Sequence, residues 1–155
     1  MLQEKNIAII GPGVMGNTIA LSLIRTGNLP PEQIAMAGPN TDRLNQLASE
    51  LGVRTFSDNL AASNAADIVI LAVKPQRLDE ATQTLKGNSS SGKLVISILA
   101  GVPISVLEQK LATRCIVRAL PNTPARIGLG ITVWTKASDV DEAQQQTAAQ
   151  IMRTF

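Results

Sequence analysis

The chain has 155 residues, enough for one compact domain with a full core and too few for two. Its 14 Lys+Arg are scattered against 12 Asp+Glu for a net charge of +2, and aromatics make up 2% of the sequence; both argue against a nucleic-acid footprint. The absence of histidine and the presence of one cysteine, Cys115, exclude Ser-His-Asp and Cys-His catalysis and an internal disulfide, and leave no basis for a zinc or other metal centre.

The N-terminus lacks a signal-peptide pattern, because Met1 to Asn6 is charged and a glycine turn interrupts the apolar run after Ile10. No apolar stretch approaches the roughly 20 residues that span a membrane. The expected setting is soluble, reducing and cytoplasmic, with no membrane partner. With aromatics so scarce, the 45% apolar content implies an aliphatic core of the kind that buries parallel strands.

Short β-branched runs alternate with longer amphipathic stretches. Asn6 to Ile10 reads as a buried strand, and Val14 to Thr26 as a helix closed by Gly27. Ile34 to Ala37 is a second strand, followed by a helix over Asp42 to Leu51, with Leu44, Leu47 and Leu51 in register and Gly52 as its stop. Val53 to Phe56 is a third strand. Asp58 is placed to cap a helix running through Ala66. Asp67 to Val73 (DIVILAV) is apolar throughout and therefore central. Arg77 to Leu85 reads as a helix, Gly87 to Gly92 as a surface loop, and Leu94 to Leu99 as a fifth strand. Pro103 opens a helix to Leu111. Cys115 to Leu120 and Ile131 to Thr135 are further strands, and Asp139 to Phe155 a final helix. Cys115 itself reads as a buried small hydrophobe. This alternation predicts an α/β fold: a Rossmann-type, doubly wound, mostly parallel sheet with helices on both faces.

The first strand runs into Gly11-Pro12-Gly13-Val14-Met15-Gly16 and then a helix, which is G-x-G-x-x-G in the strand–turn–helix context that gives the pattern meaning. Gly11 suits the tight turn, Gly13 lets a pyrophosphate approach the backbone, and Gly16 allows close helix–strand packing. The helix N-terminus offers free N–H groups to phosphates. The alternative is an ordinary glycine-rich turn. A site for NAD(H) places an acid at the tip of the second strand to hold the ribose. Here Met36-Ala37-Gly38-Pro39-Asn40-Thr41-Asp42-Arg43 has none there, and Asp42 reads as the start of the helix. Asn40, Thr41 and Arg43 are the candidates for receiving a 2′-phosphate, so NADP(H) is favoured and NAD(H) less so. The competing reading of Arg43 is a plain exposed helix residue.

Ala72-Val73-Lys74-Pro75-Gln76 (AVKPQ), Ser97 to Val102 (SILAGV), Leu120 to Pro124 (LPNTP) and Asp58-Asn59 occur in this order after successive strands. Together with the glycine fingerprint, they resemble the pyrroline-5-carboxylate reductases over nearly the whole chain. The resemblance implies an NADPH-dependent reduction of 1-pyrroline-5-carboxylate to L-proline, the last step of proline biosynthesis. It implies that Ile10 to Met15 lines the pyrophosphate, that Asn59 meets the adenosine side, and that Ala72, Val73, Lys74, Pro75 and Ala100 flank the nicotinamide end.

Pro75 stiffens its loop, and Gly101 is expected to avoid a Cβ near the ring. Lys74 is the one cation in this group, a contact for cofactor or substrate carboxylate or else a solvated loop lysine; no residue reads as certainly catalytic. The Asn122-Thr123 segment reads as active-site floor by resemblance, or as a loop that bonds its own backbone. The family often has alanine where this chain has Pro12 and Gly16.

The resemblance further implies that residues 1–155 are the dinucleotide-binding domain of a homodimeric or larger homo-oligomeric enzyme. The last Rossmann strand and the helical domain completing the substrate pocket, with its proton-donating hydroxyl, would then lie outside this chain, and the chain alone would be inactive. Rival readings are other NADP-linked reductases, such as deazaflavin-dependent reductases or hydroxyacid dehydrogenases, against which AVKPQ and LPNTP argue. A non-catalytic nucleotide-binding module is the further rival if the natural chain is this short.

Overall fold

A computed structural model describes residues 2–87, 92–122 and 130–155. The central strands are β1 (Ile7–Ile10), β2 (Ile34–Ala37), β4 (Ile68–Leu71) and β5 (Leu94–Ser97). Every residue in them is buried. Continuous aliphatic runs give this result because both faces of a parallel strand are covered by helices. With β3 (Arg54–Phe56), β6 (Ile116–Pro121) and β7 (Thr132–Lys136) they form one sheet in the order β3-β2-β1-β4-β5-β6-β7. All neighbours are parallel except β6 and β7, which pair antiparallel. The first six strands thus follow the dinucleotide-fold order, and the expected fold class is observed.

Alternation along β1 divides the core between two faces. Ile7 and Ile9 join Ile19, Ala20 and Leu23 of α1 (Val14–Arg25), Leu47 of α2 (Thr41–Leu51), and Ala148 and Ile151 of α6 (Glu142–Met152). Ala8 and Ile10 turn the other way. They meet Ala62 of α3 (Asn59–Asn64), Leu78 and Ala81 of α4 (Leu78–Gln83), and Leu107 and Leu111 of α5 (Ile104–Leu111). Burial of each such Leu or Ile contributes about 1.5–3 kcal/mol.

Several boundaries differ from the sequence expectations, each for a local reason. Asp67 stays outside β4 because its carboxylate accepts the Asn6 N–H at 2.8 Å. The helix expected from Arg77 begins as a 3-10 turn, Pro75–Arg77, where proline is tolerated in the first turn. The final helix starts at Glu142 rather than Asp139, because Asp141 and Gln144 form a reciprocal capping box. Asp58 caps α3 as expected, accepting from the Leu60 and Ala61 N–H groups at 3.0 and 3.3 Å. Cys115 is half-buried just before β6 rather than buried, its Sγ 3.7 Å from the Asp139 carbonyl. Residues 88–91 of the expected surface loop, and Thr123 and Pro124, lie outside the described residues. Among the described residues, no helix is long and apolar enough to cross a membrane, and no cluster of residues could hold a metal ion.

Strand register positions the site. Ile10 pairs with Ala37 on one side and Leu71 on the other, so β1, β2 and β4 end level. Gly11 N–H donates to the Ala37 carbonyl at 2.9 Å and Ala72 N–H to the Ile10 carbonyl at 2.8 Å. The three loops that leave these strands therefore start from one fixed edge.

Candidate functional site

At that edge lies a cleft of about 500 Å³, formed by the loops after β1, β2 and β4 together with residues of α2, α3 and α4. Ligands of open α/β sheets bind at this position, beyond the carboxyl ends of the strands where the order reverses.

The glycines divide by what surrounds them. Gly11 has φ +113°, and a Cβ on it would stand 2.7 Å from the backbone of Ala72 and Val73. Only glycine allows β1 to turn so close to the loop after β4. Gly16 lies against the Gly11 carbonyl, where a Cβ would collide with backbone. Gly13 is different: a Cβ there would meet nothing within 4 Å, and its φ of −83° is open to any residue. The fold does not need glycine at position 13, so the open space beside it belongs to the cleft.

Gly13 is also the N-cap of α1. Among the described residues no side chain caps that end, and no acid stands in the first turn. A 12-residue helix thus presents bare N–H groups and partial positive charge next to the open face of Gly13. This is the arrangement that takes a phosphate.

Across the cleft, Asn40 caps α2, its side-chain oxygen accepting the Arg43 N–H at 3.0 Å. Arg43 is half-buried rather than a free surface side chain. Its Nε donates to the Pro12 carbonyl at 3.2 Å and its Nη1 to Gln46 Oε1 at 2.9 Å. Among the described residues Arg43 has no carboxylate partner, whereas Arg77, also in the cleft wall, pairs with Glu80 at 2.8 Å. Asn59 Nδ2 donates to the Ala81 carbonyl at 3.3 Å, which joins α3 to α4 at the rim.

The cleft wall brings together Ile10, Gly11, Pro12, Gly13, Asn40, Arg43, Asn59, Ala72, Val73 and Lys74 of the residues singled out in the sequence. Val14 (62% exposed), Met15 (packed on the core), Gly16, Pro75 and Ala100 do not line it. The sequence reading missed Ala37, Gly38, Pro39, Arg77, Glu80 and Ala81. The Arg77–Glu80 spacing of three residues beside AVKPQ was the available signal for that pair.

Gly101 carries φ +73°, a backbone angle that favours glycine, and a Cβ on it would meet nothing within 4 Å. Asn122 Oδ1 accepts the Ile131 N–H at 2.9 Å, the backbone-bonding role expected as one of its two readings.

The family model described as "NADP oxidoreductase coenzyme F420-dependent" matches residues 6–101. A pyrroline-5-carboxylate reductase of Vibrio alginolyticus is 38% identical over 152 residues, covering 97% of this chain and 56% of the relative. One from Synechocystis is 40% identical over 126 residues, covering 81% and 47%. The chain thus spans about half the length of the curated relatives it matches.

Among solved structures, a pyrroline-5-carboxylate reductase of Coxiella burnetii superposes with a TM-score of 0.87 at 36% identity, over 97% of this chain and 56% of that one. The pyrroline carboxylate reductase of Plasmodium falciparum, solved with NADP bound, shares the fold with a TM-score of 0.80 at 24% identity, over 98% and 55%. The family match ends before LPNTP, and the Vibrio alignment runs on past it. The resemblance read from the four sequence blocks is therefore borne out: the chain belongs to the family described as "NADP oxidoreductase coenzyme F420-dependent" and is similar to the pyrroline-5-carboxylate reductases.

Proposed function

We propose that this chain supplies the NADP(H)-binding part of a pyrroline-5-carboxylate reductase, whose whole reaction is reduction of 1-pyrroline-5-carboxylate to L-proline. The observation that carries the cofactor half is Gly13, which leaves an open face beside the bare N-terminus of α1 although the fold has no need of glycine there. The donor set also fits a 2′-phosphorylated dinucleotide. Backbone N–H groups face the pyrophosphate position, Arg43 is a cation without a carboxylate partner among the described residues, and the tip of β2 lacks the acid that holds a free ribose 2′-OH. The Plasmodium reductase, with NADP bound in the same fold, supports the reading.

When bound, the dinucleotide supplies the hydride for the C=N carbon. The chain's own residues bind and orient. Gly11 to Met15 and the α1 N-terminus receive the pyrophosphate, Asn40 and Arg43 the 2′-phosphate, and Asn59 the adenosine side. Ala72, Val73, Lys74, Pro75 and Ala100 border the nicotinamide end, with exposed Lys74 placed to attract a carboxylate. No residue of the chain is assigned as a proton donor. That group and the opposite wall of the substrate pocket belong to the half of the relatives' length that this chain does not span. The whole protein is proposed to work in the cytoplasm as a homodimer or higher homo-oligomer.

The test is an NADPH-oxidation assay with 1-pyrroline-5-carboxylate, on this chain and on the chain continued through its natural downstream sequence. Turnover by the longer protein with none by residues 1–155 is expected. Equal turnover by both contradicts the division of labour, and no turnover by the longer protein contradicts the substrate.

A further inference from the structure

Position 38 follows directly on β2 and is where an NAD-type site carries its ribose-binding acid, roughly 20 residues past the glycines. Here it is Gly38, which is buried. Its φ does not lie in the left-handed region, so the backbone angle does not call for glycine. Pro12 does: a Cβ on residue 38 would stand 2.5 Å from Pro12 Cδ and 2.7 Å from Pro12 Cγ.

These are ring atoms, fixed to the backbone and unable to rotate away. The two segments are also pinned together. Gly11 N–H donates to the Ala37 carbonyl at 2.9 Å, and Gly38 N–H to the Phe56 carbonyl at 3.2 Å. The Pro12 carbonyl in turn accepts from Arg43 Nε at 3.2 Å.

We infer that Pro12 is a specificity-determining residue: its ring fills the space that any side chain at position 38 would need, and so bars a ribose-binding carboxylate from the tip of β2. The inference rests on the dinucleotide reading of the cleft and deepens it. The same proline that closes position 38 turns its carbonyl to Arg43, the cation assigned to the 2′-phosphate. Preference for the phosphorylated dinucleotide is therefore set by the Pro12–Gly38 pair as well as by the charge of Arg43. An acid placed at position 38 cannot recruit the unphosphorylated dinucleotide while Pro12 remains.

The experiment measures dissociation constants for NADPH and NADH with the unmodified chain, Gly38→Asp, Pro12→Ala and the double variant. Gly38→Asp alone is expected to lose NADPH affinity at least tenfold with no gain for NADH. The double variant is expected to bind NADH at least tenfold more tightly than Gly38→Asp does. An equal gain for NADH in Gly38→Asp alone overturns the inference.

A second cycle needs no ligand: Gly38→Ala should lower Tm by several degrees when Pro12 is present and far less in a Pro12→Ala background. Equal losses in both backgrounds also overturn it. An unmodified chain that binds neither nucleotide overturns the cofactor reading and the selectivity claim with it. Measuring that chain alongside tells this outcome apart from failure of the Pro12 inference alone.

Discussion

Arg43 Nε donates to the carbonyl of Pro12 across 3.2 Å, so the first turn of α2 is tied to the glycine turn that follows β1. The bond fixes where the only guanidinium of the cleft wall without a carboxylate partner can sit, among the described residues. Arg43→Ala should therefore weaken NADPH at least tenfold, since a hydrogen bond to a charged group contributes about 1.5–3 kcal/mol. NADH, with no 2′-phosphate, should change far less. Parallel fluorescence titrations of the two nucleotides check this, and an unchanged preference would remove Arg43 from the site.

Gly13→Val separates the turn from the ligand. A Cβ at position 13 would meet nothing within 4 Å, so circular dichroism and Tm should stay close to those of the unmodified chain. NADPH binding should be lost, because the branched side chain takes the place of the pyrophosphate. Normal binding by a folded Gly13→Val would make the loop a turn and nothing more. Gly16→Ala should instead damage the fold, because its Cβ would press on the Gly11 carbonyl.

Asp58 accepts two N–H groups at the start of α3, directly before Asn59 at the cleft rim. Asp58→Ala should cost about 1 kcal/mol of stability. For a chain of this size that is a fall in Tm of about 2–4 °C. Thermal unfolding can be followed through Trp134, the one tryptophan. An unchanged Tm would show that the cap contributes nothing to α3.

Lys93 donates to the Ser63 carbonyl, and burial holds its pKa below the ordinary lysine value against the opposing pull of Asp67. Between the lowered native pKa and the unfolded value of about 10.4, the unfolded chain binds the proton more readily, so stability contributed by this group rises with pH. Below that window the charged lysine is a cost. Comparing urea unfolding of the unmodified chain and Lys93→Gln across the alkaline range, the difference should move in favour of the unmodified chain as pH increases. Movement the other way would reverse the sign of the shift.

Much of this architecture was legible in the residues. The uninterrupted aliphatic runs at Ile7–Ile10 and Ile68–Leu71 are a pattern that buried parallel strands produce and half-exposed ones do not. The cap at Asp58 and the stop at Gly52, with φ +73°, were local signals that needed no tertiary information. The starts of the last helix and of the helix after AVKPQ were less legible. There a capping box and a proline-led 3-10 turn competed with the apolar periodicity.

In the cleft, the glycine pattern and the loops after β1 and β4 could be read from spacing alone. The meeting of Gly38 with Pro12 could not, because it depends on how closely two strand ends approach across the sheet. Ala100 follows β5, one strand beyond β4, and lies outside the lining of this cleft, so its assignment to the nicotinamide end rests on the resemblance.

The most direct measurement is a calorimetric titration of this chain with NADPH and, separately, with NADH. One saturable site with NADPH bound more tightly than NADH is the expected result, because the bare N-terminus of α1 begins at Gly13 and Arg43 lines a cleft in which Gly38 stands in place of a ribose-binding acid. NADH bound as tightly as NADPH or more so, or no heat with either nucleotide, would contradict it.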